Sequence, residues 1–196
     1  LKMSEAIEEV AWAAGWKLKT LVRTKRFYND TELVMLYKAH LLSYLEYRTP
    51  AVYHATRDLL QKIDKVQTKF LENVGADEVQ ALMNFSLAPL ECRRDMAMLG
   101  LIHRTALGKG PPQFQQFFFK DKAGHLMDPR DQYSGRLLDR SALGLVRHYN
   151  RLTEACKRCP SVKTFQKQLQ DILKSRVRSG DPDWKCIFSP RKAMMR

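Results

Sequence analysis

Three apolar-striped segments joined by short connections constrain the fold of this chain most strongly. They cover Leu33 to Tyr47, Leu59 to Val74 and Leu87 to Leu107. In each segment apolar residues recur at intervals of three and four, which is the spacing of one face of an α-helix. The second segment ends at Gly75, a residue suited to the C-terminus of a helix. Short connections favour antiparallel neighbouring helices that share one core.

The flanking sequence continues the helical pattern. Ser4 to about Arg26 predicts one helix, with Gly15 as the point where it would break. A short helix is expected around Glu78 to Met83, and two more at about Ser141 to Ala155 and Ser161 to Val177. No alternating run of β-branched and aromatic residues is bounded by turn residues. The sequence therefore predicts an all-α fold, a helical bundle of about six to eight helices.

Two regions depart from this pattern. Residues 108–135 are rich in glycine and proline and predict an irregular segment, which contains an aromatic knot formed by Phe114, Phe117, Phe118 and Phe119. The residues after 178 are expected to fray. The chain then divides into a helical region at 1–107, an irregular connector at 108–140, a C-terminal helical pair at 141–178 and a disordered basic tail at 179–196.

An excess of basic residues limits the partners of the chain. Lysine and arginine number 34 against 21 aspartate and glutamate, which gives a formal net charge of +13. Such a charge favours polyanionic partners, mainly nucleic acid or an acidic membrane surface. No apolar stretch approaches the roughly 18 residues of a transmembrane helix, and the chain begins without the features of a signal peptide. We therefore expect an intracellular protein, nuclear or cytoplasmic, with no membrane partner.

The best candidate site is an N-terminal basic cluster that follows Trp12 and Trp16. Its members, which lie within ten residues that contain no acid, are Lys17, Lys19, Arg23, Lys25 and Arg26. Positive charge beside flat aromatic surface suits binding to a nucleic-acid backbone. A second basic excess runs from Lys157 to Arg196. For any single residue the alternative is a solvated helix face, and Lys62, Lys65 and Lys69 are interpreted in that way.

Catalytic motifs are not found in the sequence. Polymerase chemistry needs two or three carboxylates that hold a pair of Mg²⁺ ions. The one Asp-x-Asp motif, Asp181-Pro182-Asp183, lies in the expected tail and predicts a loop. No glycine-rich phosphate loop occurs, and no histidine accompanies a nucleophile in a recognisable motif. We therefore assign no catalytic residue and no cofactor to this chain.

Cys156 and Cys159 have the spacing of half a zinc site. A complete tetrahedral site would need two more ligands, for which Cys186 and His148 are the best candidates. The alternative is that both cysteines are small, partly buried residues. The pair is a weak candidate, and no metal site is assigned.

Several short motifs follow one another between about Leu18 and Leu173. They are Leu18-Lys19-Thr20-Leu21-Val22-Arg23, Leu36-Tyr37-Lys38, Leu45-Glu46-Tyr47, Val66-Gln67, Leu87-Ala88-Pro89-Leu90 with Arg93, Tyr149-Asn150-Arg151-Leu152, and the segment Ser161 to Leu169. Their order and spacing resemble the helical region that follows the palm in reverse transcriptases of LINE-like (non-LTR) retrotransposons. The chain departs from the family where Arg48 to Tyr53 replace a glycine and a Val-Trp pair.

The resemblance implies a noncatalytic fragment of an RNA-directed DNA polymerase. Its thumb-like region would be residues 1–107, within which Leu18 to Val74 would grip the template and primer. RNA or DNA is the implied partner, with the upstream palm domain as a further one. The catalytic Asp pair and Mg²⁺ of the family belong to that palm, so this chain is not expected to polymerise on its own. The alternative is a helical protein-interaction module, repurposed from a retroelement, whose exposed aromatic knot docks on a protein partner.

Overall fold

The structure, a computed structural model, describes residues 2–118, 125–133 and 135–191. Helices dominate these residues, and no β-strand is found among them. This confirms the predicted all-α fold class, although the chain uses more and shorter helices than the six to eight expected. Backbone contacts divide the chain into two compact units, residues 1–93 and 94–196, so the division falls earlier than residue 107.

The first unit contains two long helices and several short ones. Its helices are α1 (Met3–Arg23), α2 (Asp30–Tyr37), α3 (Ser43–Tyr47), α4 (Thr49–Val52), α5 (Arg57–Val74), α6 (Glu78–Phe85) and the start of α7 (Leu90–Ala106). A 3-10 turn at Lys25–Phe27 follows α1, and a π-helical turn at Lys38–Leu42 joins α2 to α3. The most extensive contact between two elements is that of α1 with α5.

The single helix predicted from Ser4 to about Arg26 is confirmed by α1, which runs unbroken through Gly15, so the break considered at this residue does not occur. Its buried stripe consists of Ile7, Val10, Ala14, Leu18 and Leu21. These residues recur every three or four positions on both sides of the glycine, and their packing keeps the helix regular. Tertiary packing therefore outweighs the poor helix propensity of one glycine, which is about 1 kcal/mol relative to alanine.

The π-helical turn after α2 contains two consecutive buried leucines. Leu41 and Leu42 are 1 % and 4 % exposed. One turn earlier, the ring of Tyr37 stacks on that of Phe70 in α5, with centroids 4.1 Å apart. The stacked rings fix the end of α2 against α5, and the π-helical turn itself contacts α1.

Helix α5 ends as the sequence predicts. Gly75 adopts the left-handed conformation, with φ of +74°, and its amide donates to the carbonyl of Leu71 at 2.9 Å. A side chain with a β-carbon would be strained there, which explains the glycine. Further along, the side-chain amide of buried Gln67 donates to the carbonyl of Ala88 at 3.1 Å and ties α5 to the segment that precedes α7.

The second unit continues α7 and adds shorter helices. These are α8 (Pro112–Gln115), α9 (Arg136–Asp139), α10 (Val146–Asn150), α11 (Glu154–Lys157) and α12 (Val162–Arg178), with 3-10 turns at Pro129–Asp131, Ala142–Leu145 and Trp184–Cys186. Helix α12 matches the prediction, and the hydroxyl of Ser161 caps it by accepting from the amide of Thr164 at 3.1 Å.

The prediction of a single helix at Ser141 to Ala155 is wrong. The region forms a 3-10 turn, then α10, and then α11 after a break. Gly144 approaches the carbonyl oxygen of Asp139 so closely that a β-carbon would lie 2.5 Å from it. The hydroxyl of Thr153 starts α11 separately, because it accepts from the amide of Cys156.

A buried polar network lies inside the second unit. His103 is fully buried, with Nδ1 3.0 Å from the hydroxyl of Tyr149 and Nε2 2.9 Å from the carbonyl oxygen of Cys159. Because a carbonyl only accepts, Nε2 is assigned the proton and Nδ1 accepts from Tyr149. The imidazole also stacks on Phe165 of α12, with centroids 4.1 Å apart. Burial is the main cause that raises the pKa of Tyr149 to about 12, so the hydroxyl stays protonated as a donor.

The region after residue 179 differs from the disordered tail that composition suggests. Trp184 and Phe188 are 6 % and 5 % exposed, and α12 contacts the 3-10 turn at Trp184–Cys186. The guanidinium of Arg191 lies 3.6 Å from the carboxylate of buried Asp95 in α7. Two large apolar side chains and one ion pair thus fix residues 184–191 to their own unit. Residues 192–196 lie outside the described part of the chain.

We expect Gly15→Ala to raise the free energy of unfolding of the chain by about 0.5–1 kcal/mol. A β-carbon at this position meets no heavy atom within 4 Å, so alanine adds helix propensity without strain. Denaturant unfolding followed by circular dichroism measures the change. The matched control is Gly75→Ala, which must destabilise because φ is +74° there. Lower stability of Gly15→Ala would contradict a continuous α1.

For the polar network, His103→Leu should lower the free energy of unfolding by about 2–4 kcal/mol, since it leaves a buried hydroxyl and a buried carbonyl unpaired. Adding Tyr149→Phe to this variant should recover part of the loss, because the orphaned hydroxyl is then gone. The same denaturant measurement on the two single variants and the double variant gives the coupling. Strictly additive losses would show that the two side chains do not form the inferred hydrogen bond.

Candidate nucleic-acid interface

The five cations of the N-terminal basic cluster are exposed, but they do not share one surface. Lys17 and Lys19 are two residues apart on α1 and therefore point in nearly opposite directions. The ammonium of Lys17 lies 5.3 Å from the centroid of the Tyr44 ring, whereas that of Lys19 lies 5.2 Å from the Trp16 ring. The structure therefore splits the predicted cluster between two sides of the helix.

The other three cations occupy the end of α1 and the turn after it. Arg23 follows Lys19 by four residues, so the two are neighbours on the helix surface. The ammonium of Lys25 donates to the main-chain carbonyl of Asn73 near the end of α5. The guanidinium of Arg26 lies 4.7 Å from the centroid of the Phe27 ring. Lys25 thus ties the end of α1 to α5.

An open groove of about 650 Å³ lies between α1 and α5. We call it the α1–α5 groove. Apolar residues of both helices, including Leu18 and Val66, form part of its lining. Its basic side chains are Lys19 from α1 and Lys62, Lys65 and Lys69 from α5. One carboxylate, Glu72, accompanies these four lysines. The groove therefore has an apolar floor and positively charged sides. This form suits a nucleic-acid strand, which has a polyanionic backbone and flat apolar nucleobases.

The sequence indicates part of the arrangement of the α5 lysines. Lys62, Lys65 and Lys69 are spaced by three and four residues, which places them on one stripe of the helix. Their interpretation as a solvated face is confirmed, because all three are exposed. That interpretation did not show that α1 packs beside them, since pairing of helices distant in sequence leaves no local pattern. A basic stripe next to the buried seam of an amphipathic helix was the available indication.

The lysines of the groove differ in how they are engaged. Lys62 forms an ion pair of 2.5 Å with Glu8 of α1, in which the two side chains are 45 % and 57 % exposed. Exposed pairs of this kind contribute about 0–1 kcal/mol, so a phosphate can replace Glu8. No ion pair engages Lys65 or Lys69 within the described residues. These two ammonium groups are therefore available to an anionic ligand.

Two exposed tryptophans lie on the same helix. Trp12 and Trp16 are 69 % and 52 % exposed, and their ring centroids are 6.1 Å apart in an edge-to-face arrangement. Their positions, with those of Lys19 and Arg23, follow the spacing of four, three and four that defines one face of a helix. We call this set of four residues the indole stripe. Lys19 belongs to both the stripe and the groove.

The half zinc site is not completed by the expected ligands. Cys156 and Cys159 are buried, and the Cys159 thiol contacts the carbonyl of Ala155 at 3.7 Å. Burial is the main cause that lowers the pKa of His148, which favours its neutral ring. However, across residues 2–118, 125–133 and 135–191 no three His, Cys, Asp or Glu side chains group closely enough to hold a metal ion. Cys186 and His148 therefore do not join the pair.

The Asp-x-Asp motif forms a turn. A carboxylate oxygen of Asp181 accepts from the amide of Asp183 at 2.9 Å, and the other oxygen lies 3.6 Å from the guanidinium of Arg176. This is an Asx-turn followed by the 3-10 turn at Trp184–Cys186. Asp181 is thus engaged with its own loop and with α12.

The aromatic knot is partly buried. Phe118 is 7 % exposed and stacks with Phe114 at a centroid distance of 6.5 Å, whereas Phe117 is 47 % exposed. Phe119 lies outside the described residues. The expectation of an exposed knot therefore holds for Phe117 and is wrong for Phe118, which packs into the second unit.

No family model matches the chain, and neither a curated protein nor a solved structure matches it. The resemblance to LINE-like reverse transcriptases stays a prediction from the ordered motifs. In the part of the chain that the structure describes, no helix is long and apolar enough to cross a membrane.

Proposed function

We propose that the first unit binds nucleic acid through the phosphate backbone, which lies in the α1–α5 groove. The observation that carries this proposal is the convergence of Lys19, Lys62, Lys65 and Lys69 from two helices onto one open groove. Phosphate contacts of lysine release condensed counterions and require no particular base sequence. The formal net charge of +13 adds long-range attraction for the same partner.

We further propose that the chain is a noncatalytic part of a LINE-like reverse transcriptase, whose helical region holds the template and primer. This proposal is supported by the ordered motifs and by their position, since Leu18 to Arg23 and Val66-Gln67 lie on the two helices that border the groove. In such a protein the palm carboxylates and their Mg²⁺ perform the chemistry. The role of this chain is then to bind and position nucleic acid, with RNA, DNA and the palm as partners.

Replacing Lys65 and Lys69 by glutamine should weaken binding to an RNA–DNA hybrid hairpin and flatten its salt dependence. If the four lysines make about four phosphate contacts, log affinity should fall with log salt at a slope near −3.6, and the double variant should reduce that slope to about −1.8. Fluorescence anisotropy over a salt series measures both affinity and slope.

The matched control for this experiment is Lys163→Gln with Lys167→Gln. This pair is also exposed and spaced by four residues, on the amphipathic helix α12 of the second unit. The control changes net charge equally and should leave the slope unchanged. Equal losses in the two variants would mean diffuse attraction by net charge, and salt-independent or absent binding in the original chain would contradict the proposed function.

A second candidate function is docking on a protein partner, as proposed for an interaction module. The exposure of Phe117, at 47 %, favours it. Phe117→Ser should then abolish capture of that partner in a pull-down carried out with nuclease and high salt, without altering the circular dichroism spectrum. Phe118 is unsuitable for this test because it is buried. Capture that disappears with nuclease treatment alone would exclude a protein-mediated contact.

A further inference from the structure

The indole stripe has a property that phosphate binding does not require. A tryptophan side chain buries 150–250 Å² when it packs, about as much as any residue. Trp12 and Trp16 instead stand 69 % and 52 % exposed in the middle of a regular helix. The buried face of α1 is already formed by its aliphatic stripe, so the two indoles do not contribute to the core. They form flat apolar surface that is open to a ligand.

The charges around the stripe restrict which ligand can cover it. Lys19 and Arg23 continue the stripe toward the C-terminus of α1, and the ammonium of Lys19 lies 5.2 Å from the Trp16 ring. At the other end, Glu8 and Glu9 are exposed in the turn before Trp12. A ligand that offers flat π-faces beside negative charge therefore fits the C-terminal half of the stripe, and it fits Trp16 better than Trp12.

We propose that the indole stripe stacks the bases of an unpaired nucleic-acid segment while the lysines of the α1–α5 groove hold its phosphates. Aromatic side chains bind successive bases in this manner in proteins that recognise single strands. From Trp12 to Arg23 the stripe extends about 16 Å along the helix, which is long enough for a short unpaired segment with bases on the two indoles and phosphates near Lys19 and Arg23. A fully paired duplex cannot use the stripe, because its base faces are covered. This inference rests on the proposed nucleic-acid binding and adds a preference for unpaired segments.

Two strands of equal length separate base stacking from phosphate binding. The first is oligodeoxythymidylate of about ten nucleotides, and the second is an abasic strand with the same phosphates. Intrinsic fluorescence reports stacking because a base in contact quenches an indole. The third tryptophan, Trp184, is 6 % exposed and serves as an internal reference that should not respond. The full chain is used throughout.

We expect oligodeoxythymidylate to quench the fluorescence of the exposed tryptophans and to bind more tightly than the abasic strand. Trp16→Ala should weaken binding of oligodeoxythymidylate about tenfold and Trp12→Ala less, with little change for the abasic strand. Both changes place alanine at exposed helix positions, so the fold is retained. The control is Tyr133→Ala in the second unit, which removes a side chain that is 67 % exposed and should leave both affinities unchanged.

The outcomes distinguish this inference from the function on which it rests. Equal affinity for the two strands, with no effect of Trp16→Ala but a loss in the variant of Lys65 and Lys69, would overturn stacking and retain phosphate binding. Absence of binding to either strand would overturn both. A fluorescence change with anionic phospholipid vesicles but not with oligodeoxythymidylate would assign the stripe to a membrane surface and overturn the inference.

Discussion

The packing of α1 on α5 is the interaction on which the first unit and its candidate site depend. Each of the five buried residues of α1 contributes on the order of 1.5–3 kcal/mol if fully transferred from water, except alanine, which contributes less. The same contact sets the position of Lys19 relative to Lys65 and Lys69, since the groove is bordered by these two helices. The packing of α1 on α5 therefore forms both the core and the candidate site. Leu18, for example, is a core residue that also lines the floor of the groove.

Sequence patterns predicted those helices whose position and ends depend on residues near to one another in the chain. The apolar spacing of α5 and α12 and the glycine at residue 75 specify a helix and its end without reference to the rest of the chain. The segment at 141–155 has apolar residues too, but Gly144 lies close to the carbonyl of Asp139 and Thr153 caps a separate helix. Both contacts are local, so the capping threonine was an available indication of the break that apolar spacing alone did not show. For the tail, the error was to predict disorder where the chain is ordered. Its basic composition suggested disorder, although Trp184 is buried and holds the segment in place.

The sequence predicted which kinds of residue form the candidate site, but it did not predict how they are arranged in space. Proximity along the chain grouped Lys17 with Lys19, whereas the helical twist separates them. Lys65 and Lys69 lie more than forty residues away from Lys19 in the sequence and are brought beside it by the packing of α5. Helical spacing alone could have shown that Lys19 shares a face with the tryptophans. That α5 supplies the remaining cations follows from tertiary structure, which single-sequence patterns do not encode.

The exposed apolar stripe requires a partner with apolar surface, whereas the basic groove requires a partner with negative charge. Together the two requirements restrict the class of ligand that can bind both. A purely apolar partner would cover Trp16 but would desolvate Lys19, which is unfavourable without an anion. A purely phosphate-bearing surface would neutralise the lysines of the groove and leave the indoles in water. A flexible strand whose bases and phosphates point to different sides meets both demands at once, because α1 carries the indoles and shares Lys19 with the groove.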